Sequence, residues 1–139
     1  GVTVAIHDPC KSRDEPAVQA AVRQLIVAAG GAVHELDYAG ERTRCCGLGG
    51  KIEPVDPELA LRIARRRAEE STEPLLTYCS GCRGALRQGG REAMHLVDLL
   101  FSRDRQVARN DPPPGRVLRQ VNRLRTKWAL RRLRPSGAE

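Results

Sequence analysis

With 139 residues, 40% of them apolar and 29% charged, the chain suits one compact domain with room for a tail but not for a second full core. The net charge of +7 belongs to the C-terminal end: residues 1–115 set 16 Lys/Arg against 16 Asp/Glu, whereas 116–139 hold eight basic residues and only Glu139 opposing them. No apolar run reaches the roughly 18–20 residues of a membrane span, and an odd cysteine count of five fits poorly with a secreted, disulfide-stapled fold.

The elements follow in chain order. Residues 2–6 form a β-branched run that reads as a strand, ended by Pro9 in His7-Asp8-Pro9-Cys10. Residues 17–29 carry Val18, Ala21, Val22, Leu25 and Ile26 at helical spacing and stop at Gly30-Gly31. Residues 32–38 read as a second strand. Residues 56–70 read as a helix with Asp56 as N-cap, Pro57 at the first position, and Leu59 and Ile63 on one face. A third strand at 74–78 runs directly into Cys79, and helices at 82–88 and 94–101 flank Gly89-Gly90. This alternation predicts an α/β domain over 1–102, with a small, mostly parallel sheet flanked by helices. A Pro-rich linker is expected at 103–115, followed by a basic helical tail at 116–139 in which Val117, Val121, Leu124 and Trp128 share helical spacing.

Aromatics make up only 3% of the chain (Tyr38, Tyr78, Phe101 and Trp128), so the core must be built from Val, Leu, Ile and Ala. Such a core is thin, and a bound metal centre would add to the folding free energy. The cysteines are placed to hold one. Cys10 is followed after 34 residues by Cys45-Cys46, and then after 32 more by Cys79-Ser80-Gly81-Cys82. A Cys-x-x-Cys alone suits zinc or a redox dithiol equally well. Adjacent cysteines rarely close a disulfide with each other, but both can face one large cluster where the backbone turns sharply. Cys10 and Cys79 each follow a predicted strand, and Cys45-Cys46 lies in the connection after another, so all three groups gather at the carboxyl edge of a parallel sheet. Gly47, Gly49, Gly50, Gly81 and Gly84 allow close approach of backbone to a bulky anion. Arg42, Arg44, Lys51 and Arg83 lie near enough in sequence to offset its charge.

At these residues the chain resembles a known family. The pattern Cys10, Cys45-Cys46-Gly47, Cys79-Ser80-Gly81-Cys82, with His7-Asp8-Pro9 before it and His95-Leu96-Val97-Asp98-Leu99-Leu100 after it, is similar to the CCG cysteine-rich domain. That domain occurs in the B-type and D-type components of heterodisulfide reductase and in the iron–sulfur subunits of glycolate, lactate and glycerol-3-phosphate oxidation. The likeness covers residues 1–102. It implies that Cys10, Cys45, Cys46, Cys79 and Cys82 ligate one iron–sulfur cluster, a 4Fe-4S centre of cubane or non-cubane type, with zinc as the alternative metal. The implied work is electron transfer or reduction of a thiol or disulfide substrate. Family members usually carry two such motifs, and some add a ferredoxin-like Cys-x-x-Cys-x-x-Cys run. One motif and no such run imply half of a split active site, completed by another oxidoreductase subunit or a second CCG domain. The runner-up is a structural zinc-binding interaction module, for which the fifth cysteine is redundant.

Other residues carry plainer readings. His7 reads as a strand-end residue bonded to a loop rather than a proton donor, His95 as a packed or capping histidine, and Asp8 as the residue that orders the turn before Cys10. The basic tail reads as a solvated helix first; peripheral contact with anionic lipid on the inner face of a membrane comes next, and nucleic acid is disfavoured, since only Trp128 offers stacking. The expected location is cytoplasmic. The missing initiator Met and the start within an apolar strand suggest a piece of a longer polypeptide or a trimmed chain.

Overall fold

The computed structural model describes residues 2–101 and 116–132; the expected linker at 103–115 and the end of the tail at 133–139 lie outside the described residues. Strand β1 (Thr3–His7) is followed by a 3-10 turn at Cys10–Ser12 and helix α1 (Pro16–Ala28), then strand β2 (Ala32–Glu35). A long connection with 3-10 turns at Gly40–Arg42 and Gly49–Lys51 leads to α2 (Ile52–Val55) and α3 (Pro57–Ala68). Strand β3 (Leu75–Thr77), helix α4 (Ser80–Gln88), strand β4 (Ala93–His95) and helix α5 (Leu96–Phe101) complete the unit, and α6 (Arg116–Arg132) lies beyond. The four strands form one sheet in the order β2-β1-β3-β4, with every pair parallel. The expected α/β class with a small parallel sheet is therefore the observed one, and α6 is the helix expected of the tail.

Local chemistry accounts for most element ends. Pro16 opens α1 with its ring already at the helical φ, and Gly30 closes it at φ +75, where the Gly31 N–H returns to the Ile26 carbonyl. Asp56 caps α3 as expected, accepting from the Leu59 N–H at 2.8 Å. Helix α4 begins at Ser80, two residues before the expected start, so Cys79 is its N-cap and Cys82 lies in its first turn.

One expectation is corrected. The segment 94–101 is not one helix: Ala93–His95 pairs with β3 as a fourth strand before α5 begins. Three residues give too short a run for a strand period to show in the sequence. His95 ends that strand and caps α5, its N–H donating to Asp98 and its Nδ1 accepting from Val97. On α3 the buried face is Ala60, Ala64, Arg67 and Ala68, while Leu59 stands 37% exposed. Close packing decides this. A Cβ placed on Gly89 at the end of α4 would stand 2.6 Å from the Ala64 carbonyl oxygen, so α3 turns its small residues toward α4.

Helices cover both faces of the sheet. Val4, Ile6, Leu76 and Met94 meet Val22 and Ile26 of α1 and Leu96 and Leu99 of α5. On the other face Ala5, Leu75 and Ala93 meet Ala68, Ala85 and Leu86, with Leu36, Cys46 and Cys82 in the same cluster. β1 is central, so Val4 to His7 are all fully buried and the strand reads as continuous rather than alternating. No helix among the described residues is long and apolar enough to cross a membrane. Val117, Val121, Leu124 and Trp128 of α6 are exposed.

Candidate functional site

The chain order reverses between β1 and β3, the two central strands, and their carboxyl ends open on a shared crevice. All five cysteines lie on segments leading out of the strands. Cys10 follows β1, Cys45 and Cys46 lie in the connection after β2, and Cys79 and Cys82 stand at the end of β3 and the start of α4. All five are free thiols.

Cys46 and Cys82, both buried, form the centre, with their sulfurs 3.2 Å apart. The close contact with Cys82 holds Cys46 well below the ordinary thiol range against the opposing effect of burial, with help from His7 and the Leu48 N–H. Cys82 is pushed up in turn, by that contact with Cys46 first, then by burial and by the charges of Cys46 and Cys79. Cys10 is also raised, by burial first and then by the negative charge of Cys45 and Cys46. These couplings join Cys10 to the Cys45-Cys46 pair, Cys46 to Cys82, and Cys82 to Cys79. Among the described residues, the group that could hold a metal is His7, Cys46 and Cys82, whose ligand atoms lie within 4.8 Å of one another; Cys10, Cys45 and Cys79 are not part of that group.

The backbone is shaped around the sulfurs. Cys45 Sγ accepts the Gly47 and Gly49 N–H groups, each at 3.3 Å. A Cβ on Gly49 would stand 2.7 Å from that sulfur, and Gly47, at φ +100, would drive a Cβ to 2.4 Å from the Ala60 carbonyl oxygen. Cys79 stands at the N-cap position of α4 without a side-chain cap bond, and the positive end of the helix favours thiolate there. Five sulfur donors on Gly-shaped backbone fit the chemistry of an iron–sulfur cluster, and four sulfurs suffice for tetrahedral zinc. Two sulfurs on one tetrahedral metal would sit about 3.8 Å apart at the usual bond length, so a single zinc shared by Cys46 and Cys82 would need them slightly farther apart than 3.2 Å.

The frame around the sulfurs is only partly visible in sequence. Asp8 does not merely order its own turn. Fully buried, it ties three segments: Arg23 of α1 at 2.9 and 3.1 Å, the Gly40 N–H at 2.9 Å, and Tyr78 after β3 at 3.0 Å. Burial works to raise its carboxyl, but Arg23, Gly40 and Tyr78 together outweigh it and hold Asp8 below the usual carboxylate range. Tyr78 is pushed up to about 12, chiefly by burial, with the Asp8 charge adding to it. Thr43 Oγ1 donates to the Asp8 carbonyl at 2.7 Å and so fixes the approach to Cys45.

The cations nearest in sequence are mostly occupied. Arg44 pairs with Glu70 and lies over the Tyr38 ring, Arg83 reaches Asp98, and Arg42 donates to the Asp37 carbonyl. The basic group that faces the site instead includes Arg67, which is 1% exposed and lies outside the set expected from sequence. Arg67 bonds His7 Nδ1 at 3.0 Å, the Tyr38 carbonyl at 2.9 Å, and Glu70. Its spacing of three from Ala64 and seven from Ala60 marks the buried face, a signal that the Arg65-Arg66-Arg67 run conceals. Beside Cys45 a cavity of about 400 Å³ is lined by Arg13, Arg44, Arg66 and Arg67 together with Thr43 and Ile63. Arg44 and Arg67 share Glu70, so the lining keeps an excess of positive charge.

Comparison with known proteins finds relatives of the cysteine-bearing part of the chain. A family model described as a cysteine-rich domain, CCG, matches residues 4–87. The D subunit of the dihydromethanophenazine:CoB–CoM heterodisulfide reductase of Methanosarcina mazei is 33% identical over 92 residues, which cover 63% of this chain and 22% of that protein. Its counterpart in Methanosarcina acetivorans is 32% identical over 92 residues, with the same coverage. An uncharacterized iron–sulfur protein of Methanocaldococcus jannaschii is 26% identical over 88 residues, 60% of this chain and 17% of its own length. The chain thus spans about a fifth of the length of these relatives. No solved structure gives a significant match.

Proposed function

Because the chain belongs to the CCG cysteine-rich domain family, we propose that it is one redox unit of a larger, heterodisulfide-reductase-like oxidoreductase, holding an iron–sulfur cluster on Cys10, Cys45, Cys46, Cys79 and Cys82. The observation that supports this reading is the buried Cys46–Cys82 sulfur pair, 3.2 Å apart, with the free thiols of Cys10, Cys45 and Cys79 on the segments that leave the strands. A cluster of this kind supplies one-electron transfer, and the hydrogen bonds it receives set its potential.

The chain's own residues do the rest. Cys46 and Cys82 provide the buried half of the ligand set, and Cys10, Cys45 and Cys79, each partly exposed, provide the half that faces a partner. The Gly47 and Gly49 N–H groups orient Cys45, and the start of α4 orients Cys79 and Cys82. The Arg-lined cavity beside Cys45 is where a thiol or disulfide would reach the sulfurs, and its charge favours one that carries an anionic group. One motif, spanning about a fifth of its relatives, supports a role alongside another domain or subunit rather than alone. The exposed basic helix α6 is a candidate contact for such a partner or for anionic lipid.

Structural zinc is the second reading, favoured by the tight Cys46–Cys82 contact within a group at metal-ligand distance. Anaerobic purification and reconstitution separate the two. Brown protein with iron and sulfide in equal, stoichiometric amounts is the expected result. Colourless protein with one tightly held zinc per chain would replace the cluster with the zinc module.

A further inference from the structure

His7 is the buried polar residue at the centre that the five-cysteine set leaves unused. It is fully buried, and the alternation of β1 puts it on the same face as Ala5, the face that carries Cys46 and Cys82. Its Nδ1 bonds Arg67 Nε at 3.0 Å, while Nε2 has no hydrogen-bond partner among the described residues. A ring nitrogen of His7 lies within 4.8 Å of both the Cys46 and Cys82 sulfurs. With Nδ1 engaged by Arg67, Nε2 is the ring nitrogen left without a partner, and neither sulfur stands at hydrogen-bond distance from it.

The Arg67 contact decides which of two roles His7 can take. A guanidinium keeps its protons in proteins and has no lone pair to offer, so Arg67 Nε always donates and His7 Nδ1 must always accept. Acceptance at Nδ1 leaves the ring neutral with its one proton on Nε2. A metal ligand needs a lone pair at that atom, and in this tautomer there is none. Arg67 cannot easily turn away, since it is 1% exposed and held at its other nitrogens by Glu70 and the Tyr38 carbonyl.

We propose that His7 presents a fixed Nε2–H toward the sulfurs of the loaded centre, and is not a metal ligand, with Arg67 as the positioning residue that fixes its tautomer. The role deepens the cluster reading and in the loaded protein rests on it, but the tautomer itself belongs to the metal-free chain. A donor aimed at sulfur stabilises the more negative, reduced state of a bound cluster and so raises its reduction potential. Arg67 thereby links the packing of α3 to the electron affinity of the site, without touching the sulfurs itself.

The first test uses the unsubstituted, metal-free, reduced chain, whose histidine ring is read by 15N NMR at neutral pH. A single Nε2–H tautomer at His7 is expected; an Nδ1–H tautomer or a doubly protonated ring overturns the proposal. The second uses anaerobically reconstituted protein. His7→Leu is expected to keep its full iron content and to shift the reduction potential downward. His7→Gln, whose amide can present an N–H near the Nε2 position, is expected to recover most of that shift, and Arg67→Leu to move the potential in the same direction as His7→Leu. Unchanged potential in His7→Leu, or a strong directly bonded 14N coupling in pulsed EPR of the unsubstituted protein, overturns the proposal even if a variant fails to fold. Failure to bind iron under any condition sinks the cluster reading alone, and the NMR result still decides the role of His7.

Discussion

Adjacent residues at the end of β1 point to opposite faces of the sheet, and the two faces are built differently. Toward α1 and α5, Val4, Ile6, Leu76 and Met94 meet Val22, Ile26, Leu96 and Leu99, and Asp8 anchors α1 through Arg23. Toward α3 and α4, the corresponding places are largely taken by Ala5, Ala68, Ala85 and Ala93, with Cys46 and Cys82 among them, and His7 anchors α3 through Arg67. The first face is large and aliphatic and holds by apolar burial. The second is small-residued, which lets α3 and α4 approach closely but leaves less apolar area to stabilise it. Sulfur, a buried guanidinium and, on our reading, a bound centre supply what side-chain volume does not.

Stripping the bound centre should therefore be the largest single perturbation. Chelator-treated protein is expected to lose more unfolding free energy than any one apolar truncation removes, measured by anaerobic denaturant titration. Hydrogen-exchange protection should fall first in α3 and α4, while α1 and α5 keep theirs. Equal loss on both faces would remove the distinction. Leu76→Ala, on the aliphatic face, is expected to cost about 3 kcal/mol, and to cost the same in loaded and stripped protein, because Leu76 is fully buried away from the sulfurs.

Asp8→Asn comes next, at about 2 kcal/mol for loss of charge in a buried, charge-assisted network. The pH dependence follows from the two shifts around it. Asp8 is held below its ordinary value near 3.8, so its contribution is complete above about pH 4 and is lost as pH falls through the folded value. Tyr78 is raised from 10.0 to about 12, so its contribution is complete below about pH 10 and is lost as pH rises toward 12. Stability curves of the native chain should bend down at both ends, and those of Asp8→Asn should lose the acid bend. Gly49→Ala is the smallest in stability, below about 1 kcal/mol, yet it should lower iron content, because its Cβ would stand 2.7 Å from Cys45 Sγ.

Much of this contrast is legible in the amino-acid sequence. The cysteine spacing, the strands before Cys10 and Cys79, and the Asp56 cap all follow from local rules, and the structure places them as those rules require. What the sequence hides is long-range. Three residues at 93–95 carry no period of their own and become a strand only because β3 offers an edge to pair with. Arg67 reads as one arginine among three until the α3–α4 contact turns it inward. Asp8 looks like a turn residue because its partners Arg23, Gly40 and Tyr78 are distant in sequence. His7 reads as a strand-end residue bonded to a loop, although period-two alternation from Ala5 already puts it on the cysteine face.

The central claim is that one centre on the α3/α4 face uses all five sulfurs. Iron retained after anaerobic reconstitution of the five single variants Cys10→Ser, Cys45→Ser, Cys46→Ser, Cys79→Ser and Cys82→Ser tests it most directly. Reduced iron and an altered spectrum in every one of the five is the predicted result. Full iron content with an unchanged spectrum in any one of them, Cys45→Ser above all, would contradict the claim.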